Sequence, residues 1–400
     1  MEAEELGIKH DEILSYVKSY EGKVKQENAS QVFAEFKEEW KNSINYLYYK
    51  KDMGEEYGKA LIIYSVSIYE EGNLTEAKVK RLTDLIDYYC EQKCVQYKFN
   101  IKVSLYVNLG LCWHKLGKNY DAYSLKAFKK YAYYLVSQTS YILYQPTAYA
   151  FKTCSKYLLE ALINEELNIS SPSCFNDPFD SPILELLNNS DEISQLLRQA
   201  YSQCLKITCF SSNMKLPQTK NNVTIQEPKH PDDQPEYLNE LMWAHYADAH
   251  KGICIKYHFP NSISISGAED PNRFCYFKDV RYSNEDISKY STQDAIDLNS
   301  AFFLKGKQWE YENELRFLYF DTNGKEGYDT IKIKNCIEAI YFGLKCSKED
   351  KNTIINILHD RVHKKVNLDN EISEYPIKFF KMEIDKEHFG ELKAVEITMT

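Results

Sequence analysis

The chain lacks what a membrane or a broadly nucleic-acid-binding protein would need. No apolar run reaches the ~18 residues that span a bilayer. The opening "MEAEELGIKHDEI" is acidic where a secretory leader would be basic and then apolar, so a cytoplasmic protein is expected. Basic charge is in deficit, 49 Lys and Arg against 59 Asp and Glu for a net charge of −10. That balance gives no global field for a phosphate backbone, although a local groove stays open and nucleic acid is kept as an acceptor class. No glycine-rich loop of the Rossmann or P-loop kind is present, which removes those two routes to a nucleotide. Eleven cysteines are scattered singly through apolar stretches. The nearest two, Cys90 and Cys94, have helical spacing and no second pair to complete a tetrahedron. Free structural thiols are expected, and no zinc.

Proline is also missing from residues 1–138, where long apolar-periodic segments and few glycines predict an all-helical domain. Two stretches in it rhyme. "IYEEGNLTEA" and "CWHKLGKNYDAY" set Gly72 before Ala77 and Gly117 before Ala122, with Leu109, Gly110 and Trp113 extending the second copy. They resemble the turn and second-helix start of a tetratricopeptide repeat, though their 45-residue offset is not the usual one and a generic helical bundle explains them too. Such a domain implies a protein partner.

From residue 139 to 400 the texture changes to short strands, helices and turn clusters without a regular βαβ beat, which predicts an α+β domain. Helices are expected over Cys154 to Leu167, Glu192 to Leu205, about 284 to 304 and about 347 to 362. The polar run from Met214 to Glu236 has four prolines and no apolar period, and is expected to be a mobile lid.

Three constellations could carry chemistry. In "CFNDPFDSPI", Asn176, Asp177 and Pro178 signal a turn that Phe175 and Phe179 would anchor, leaving Asp177 and Asp180 to cap it or to face a cleft. In "LMWAHYADAHKGICIKYHF", Trp243, His245, Tyr246 and His250 crowd the end of a helix. These types bind, stack and move protons, but also serve as hydrogen-bonded structural residues. In "WEYENELRF", a strand from Glu312 to Phe317 would set Glu312, Glu314 and Arg316 on one face. Adjacent carboxylates repel, so one pKa must rise or a cation must stand close, and Arg316 is a candidate. A surface ladder of Glu and Arg explains the same letters.

Together with Tyr144, "CFS" from Cys209 and "IEAIYFGLKCS", these blocks resemble a bacterial family, the domain of unknown function numbered 2971, over about 139–350. The chain departs from it in one place, carrying "YQPTAY" where the family has a basic or tyrosine-basic pair. The order of a first strand with tyrosine, a helix, an aromatic block and a late Glu-x-Glu strand resembles ADP-ribosyltransferases in turn. That resemblance implies an NAD-dependent transferase or NAD-cleaving effector. Glu314 would stabilise the ribose cation, Glu312 would activate a nucleophile, and His245 would hold ribose or phosphate. Tyr144, Tyr246, Trp243, Trp309, Asp177 and Arg316 would contact the cofactor. Repeat-plus-effector architecture fits bacterial stress or phage defence. Two rivals remain. One is a metal-dependent hydrolase or nuclease, with Asp177, Asp180, Glu312 and Glu314 around Mg²⁺ and Arg198, Lys206 and Arg316 on a phosphate. The other is a non-enzymatic adaptor with a ligand-sensing module, its charges satisfying one another.

Overall fold

The structure is a computed structural model that describes residues 55–70, 73–91, 99–137, 147–175, 180, 192–213, 218–220, 223–225, 234–259, 272–284, 302–366, 372–388 and 390–398. Contacts divide the chain into two compact units, Met1–Ser140 with Leu187–Tyr201, and Tyr141–Leu186 with Ser202–Thr400.

The first unit is helical throughout its described residues. Helices α1 (Glu55–Glu70), α2 (Glu76–Cys90), α3 (Phe99–Lys115) and α4 (Asp121–Ser137) bury one apolar cluster that includes Leu61, Leu82, Leu85, Ile86 and Leu105. Thr75 caps α2 by accepting from the Lys78 N–H, satisfying an otherwise orphaned donor. A Cβ on Gly110 would lie 2.9 Å from the Phe128 ring, so the glycine lets α3 and α4 close on each other. The helix Glu192–Cys204 adds Leu196 and Ala200 to Phe128. It stands beyond the boundary drawn from sequence at residue 139, yet its residues up to Tyr201 belong with the N-terminal helices. Residues 1–54 and Gly72 lie outside the described residues.

The second unit is a mixed sheet with interspersed helices. In chain order its elements begin with β1 (Thr147–Lys152), α5 (Lys156–Asn164) and β2 (Glu166–Ser170); the helix Glu192–Cys204, α6 in chain order and up to Tyr201 part of the first unit, is followed directly by β3 (Leu205–Ser211). The hairpin β4 (Gln218–Lys220) and β5 (Val223–Ile225) precedes α7 (Glu240–Tyr246), β6 (Ile253–His258), β7 (Arg273–Asp279), β8 (Arg281–Tyr282) and β9 (Leu304–Lys305). The chain ends with β10 (Glu314–Asp321), β11 (Tyr328–Lys332), β12 (Ile337–Phe342), α8 (Lys348–Leu358), β13 (Val362–Val366), β14 (Ile372–Pro376), β15 (Lys378–Ile384) and β16 (Leu392–Glu396).

Ten strands form the main sheet in the order β11-β2-β3-β1-β6-β12-β15-β16, with β10 on β3 and β7 on β10. Among the described residues the β12–β15 pair is the one parallel pair of this sheet, and β8–β9 form a separate parallel pair. Strand β3 is the branch point. One edge pairs with β10 along its whole length, from Leu205 opposite Phe320 to Ser211 opposite Glu314. The other edge meets β2 at Ile207 and β1 at Ser211. Strands β1 and β2 therefore part from the same edge of β3, and a cleft opens between them.

Several expected boundaries move for local reasons. The helix expected over Cys154 to Leu167 stops at Asn164, because Glu165 adopts a left-handed conformation (φ 51°) and turns the chain into β2. Glu312 is not on a strand. It ends a 3₁₀ helix, Lys307–Glu312, and left-handed Asn313 (φ 45°) separates it from β10. Of the helix expected over 284–304, Phe302 and Phe303 form a turn and Leu304–Lys305 pairs with β8, while 285–301 lie outside the described residues. The expected lid contains the β4–β5 hairpin, and its last residue, Glu236, is buried. The rest of Met214–Gln234 up to residue 233 lies outside the described residues. No described helix is long and apolar enough to cross a membrane.

Between α7 and β6 the backbone makes an unusual turn, with Asp248, Ala249 and His250 all left-handed (φ 47°, 50° and 69°). Gly252 ends it in close contact, since a Cβ there would sit 2.1 Å from the Lys152 carbonyl oxygen on β1. Backbone cannot retreat as a side chain can, so Gly252→Ala should destabilise the protein by ~2 kcal/mol or more. Urea unfolding checks this, and an unchanged midpoint would show that β1 and the turn separate freely.

Candidate functional site

The cleft has a volume of about 720 Å³, within the range typical of small-molecule sites, and its walls come from β1, β2 and β3 with Phe175, Tyr246 and Trp309 around them. Its charged floor is assembled from separate elements. Lys305, at the end of β9, sends its ammonium to Glu312 Oε2 at 2.6 Å and Glu314 Oε2 at 3.1 Å, with Asp180 Oδ2 at 3.9 Å. Arg316 on β10 donates through Nε to Glu314 Oε1 at 2.7 Å, through Nη1 to the Phe302 carbonyl at 2.7 Å, and through Nη2 to Asp180 Oδ1 at 2.5 Å. Glu314 and Arg316 are 2% and 0% exposed, so these ions are held by one another and not by water.

Backbone geometry brings the two glutamates together. Residues two apart on one strand would lie side by side, but the turn at Asn313 delivers Glu312 from the 3₁₀ helix and Glu314 from β10 to one ammonium. Asn tolerates the left-handed conformation. Its side chain is fixed by donating to Glu236 Oε1 at 3.0 Å, while Ser211 donates to Glu236 Oε2 at 2.6 Å. The Tyr282 hydroxyl accepts from the Glu314 N–H at 2.7 Å. Asn239 caps α7 and donates to the Tyr311 carbonyl at 2.8 Å, docking that helix on the 3₁₀ segment. The Tyr246 hydroxyl then reaches Glu312 Oε1 at 2.5 Å.

The same surroundings split the acids. Burial pushes the Glu314 carboxyl up, but the charges of Arg316 and Lys305 outweigh it and hold the group down at about 2. Burial also raises Glu312, and there the Lys305 contact only partly offsets it, leaving a carboxyl easier to protonate than usual. Asp180 is likewise raised by burial against the pull of Arg316. Opposed shifts among neighbouring acids are what acid–base chemistry requires.

Of the residues singled out from sequence, Phe175, Asp180, Tyr246, Trp309, Glu312 and Glu314 meet at the cleft. Trp309 stands beside Lys305, 5.1 Å from ammonium to ring centroid. Arg316 is present but fully buried beneath it. Trp243 is a core residue, 0% exposed, edge-on to Phe151 and donating its indole N–H to the Tyr237 carbonyl at 2.8 Å. His245 is exposed and outside the cleft lining, its ring 6.0 Å from that of Tyr311. His250 stacks on Trp243. Lys206, a phosphate ligand in the metal reading, is buried and spends its ammonium on Ser171 Oγ and the carbonyls of Lys325 and Gly327. Tyr144 and Asp177 lie outside the described residues. Sequence reading gave no role to Lys305, Tyr282 or Glu236. For Lys305 a signal existed, because a lysine directly after Phe302, Phe303 and Leu304 needs a partner if it is buried with them.

Residues 242–317 match a family model described as a protein of unknown function, DUF2971. That span runs from α7 to the middle of β10, and so takes in Tyr246, Lys305, Glu312, Glu314 and Arg316. No curated protein and no solved structure matches the chain. The N-terminal helices carry no tetratricopeptide assignment.

The ion pairs of the cluster are buried, so they bear on stability as well as on the cleft. Removing one member of a buried ion pair strands the other, so Glu314→Gln should cost ~3 kcal/mol. Glu314 is depressed in the folded state, so its stabilisation is complete above the unfolded value near 4.5 and is lost as pH falls toward about 2. The stability difference between wild type and Glu314→Gln, followed by chemical denaturation, should be constant above pH 5 and shrink below 4.5. A pH-independent difference would place the Glu314 charge outside the stabilising network.

Proposed function

We propose that the cleft takes NAD or a chemically similar nucleotide, and that the chain is an ADP-ribosyltransferase-like, NAD-cleaving protein. One observation carries the reading: among the described residues three carboxylates, Asp180, Glu312 and Glu314, gather on two cations, Lys305 and Arg316, at the floor of an aromatic-walled cleft, an excess of one acid over the bases. Such a floor favours a positive charge developing next to it. In cleavage of NAD the bond between ribose C1′ and the nicotinamide nitrogen breaks, its electron pair leaves with neutral nicotinamide, and the ribose carries an oxocarbenium-like charge. An acceptor hydroxyl, amine or water captures the carbon and gives up its proton.

The residues divide these tasks. Glu314, kept ionised by Arg316 and Lys305, supplies fixed negative potential. Glu312, with its raised pKa and its link to Tyr246, is the proton acceptor. Trp309 and Tyr246 offer aromatic faces for the nicotinamide or base. Lys152 lines the cleft wall, where desolvation by the surrounding protein lowers its pKa, and a diphosphate there would restore its charge. The α+β unit would then be ADP-ribosyltransferase-like, and the N-terminal helices, with turns like those of tetratricopeptide repeats, would hold a protein partner in a stress or defence role.

The metal reading fares less well, since the Lys305 ammonium stands between the carboxylates where a divalent ion would have to sit. The ligand-sensing module keeps one argument: Lys305 and Arg316 are engaged inside the cluster, as a purely structural network would require.

Nicotinamide release from NAD, with candidate acceptors, tests the proposal. Wild type should release nicotinamide with or without chelator, and Glu312→Gln should be slower by about 10²-fold or more. Tyr246→Phe should shift the pH profile of the rate. No NAD binding and no release by wild type, or an undiminished rate in Glu312→Gln, would overturn the transferase. Loss of activity on chelation, matched by Asp177→Asn, would favour the metal-dependent hydrolase.

A further inference from the structure

Away from the cleft, two cysteines far apart in sequence meet a carboxylate. The ligand atoms of Cys154, Cys346 and Asp350 all lie within 4.8 Å of one another, with Cys346 buried and the other two half-buried. We propose that these three residues form a binding site for a soft divalent cation, zinc foremost. Zn–S bonds near 2.3 Å place two tetrahedral sulfur ligands about 3.8 Å apart, so closure needs only small side-chain movements. Two thiolates and one carboxylate suit zinc, and three protein ligands leave a fourth position for water.

The local sequence repeats on both sides of the site. Each cysteine immediately precedes the N-cap of a helix, Cys154 that of α5 (Ser155) and Cys346 that of α8 (Ser347). Asp350 sits in the first turn of α8. It accepts from the Ser347 hydroxyl at 2.6 Å through Oδ2, which orients the carboxyl and leaves its second oxygen for the ion. Cysteine spacing along the chain pointed away from zinc, because it considers neighbours in sequence. The fold joins the end of β1 to the start of α8.

The test uses the full, reduced chain with cobalt(II) as a spectroscopic substitute and zinc in competition with a chromophoric chelator. Wild type should take one equivalent with a tetrahedral, thiolate-to-cobalt charge-transfer spectrum. Cys154→Ser or Cys346→Ser should weaken uptake at least tenfold and reduce that absorption, and Asp350→Asn should weaken uptake while keeping it. His388→Ala should change nothing, although Asp385, His388 and Glu391 form the other described metal-capable group. X-ray absorption of the wild-type zinc form should show two sulfur ligands, a readout independent of how the variants fold. Three results would overturn the site: uptake unchanged in Cys154→Ser/Cys346→Ser, absence of sulfur from the zinc shell, or loss of uptake in His388→Ala. Reduced protein that binds no metal but forms a Cys154–Cys346 disulfide with oxidised glutathione would also overturn it, in favour of a redox pair.

Discussion

The architecture of the second unit turns on the Lys305 ammonium. Placing a lysine 8% exposed is unfavourable unless the desolvated charge is matched at hydrogen-bond distance. Here the match is supplied by Glu312 and Glu314, which reach it from opposite sides of a one-residue turn. Everything that fixes that turn serves the same contact. Asn313 supplies the left-handed conformation, Glu236 and Ser211 hold Asn313, and Tyr282 holds the first amide of β10. Arg316 repeats the arrangement one layer deeper with Glu314 and Asp180. Because β3 pairs with β10 along one edge and releases β1 and β2 from the other, this ionic layer forms the floor of an open cleft.

Much of the second unit was legible in its sequence, for identifiable reasons. "KITCFSS", "GICIKYHF" and "ELRFLYF" are apolar enough to be interior strands, and they are β3, β6 and β10. The mixture of strands and helices without a repeating beat is the α+β sheet. The errors cluster at left-handed residues. At Glu165 and Asn313 the apolar pattern runs on while the backbone reverses, and periodicity contains no signal for that reversal. The charge cluster was half legible. Glu312, Glu314 and Arg316 announced themselves by repulsion and attraction, and Asp180 was grouped with the two glutamates in the metal reading, whereas Lys305 and Tyr282 carried no role until the fold brought them together.

The block from Trp243 to Gly252 shows how a motif can be specific without every member touching a ligand. The half-buried His250 stacks on the core residue Trp243, and the Gly343 amide and Lys345 amide donate to the carbonyls of Gly252 and His250. Three consecutive non-glycine residues in the left-handed region are unfavourable in isolation. Surrounding hydrogen bonds stabilise the turn, and β6 begins next to β1 as a result. Within that block Tyr246 alone reaches the acidic cluster. His250 stacks on Trp243 and accepts from the Lys345 amide through its carbonyl, while His245 is exposed with its ring near Tyr311.

The charge of the cluster constrains its ligands whatever the chemistry. With three acids against two cations among the described residues, the excess negative charge must be solvated by water in the cleft, neutralised by a proton, or met by a positive group. A neutral ligand that expelled the water would raise the cost of that charge and draw a proton onto Glu312. A ligand presenting a cation would lower it and leave Glu312 ionised. Occupancy and the protonation of Glu312 are therefore coupled, and the hydrogen bond from Tyr246 belongs to the ionised form. Were the ligand NAD, as proposed, the departure of its pyridinium as neutral nicotinamide would carry the site from one condition to the other as positive charge moves to the ribose. The same coupling would let a non-catalytic module register a bound cation through Tyr246 and α7. In both cases Glu312 is the member whose charge changes, and Glu314, clamped by Arg316 and Lys305, is the member whose charge stays fixed.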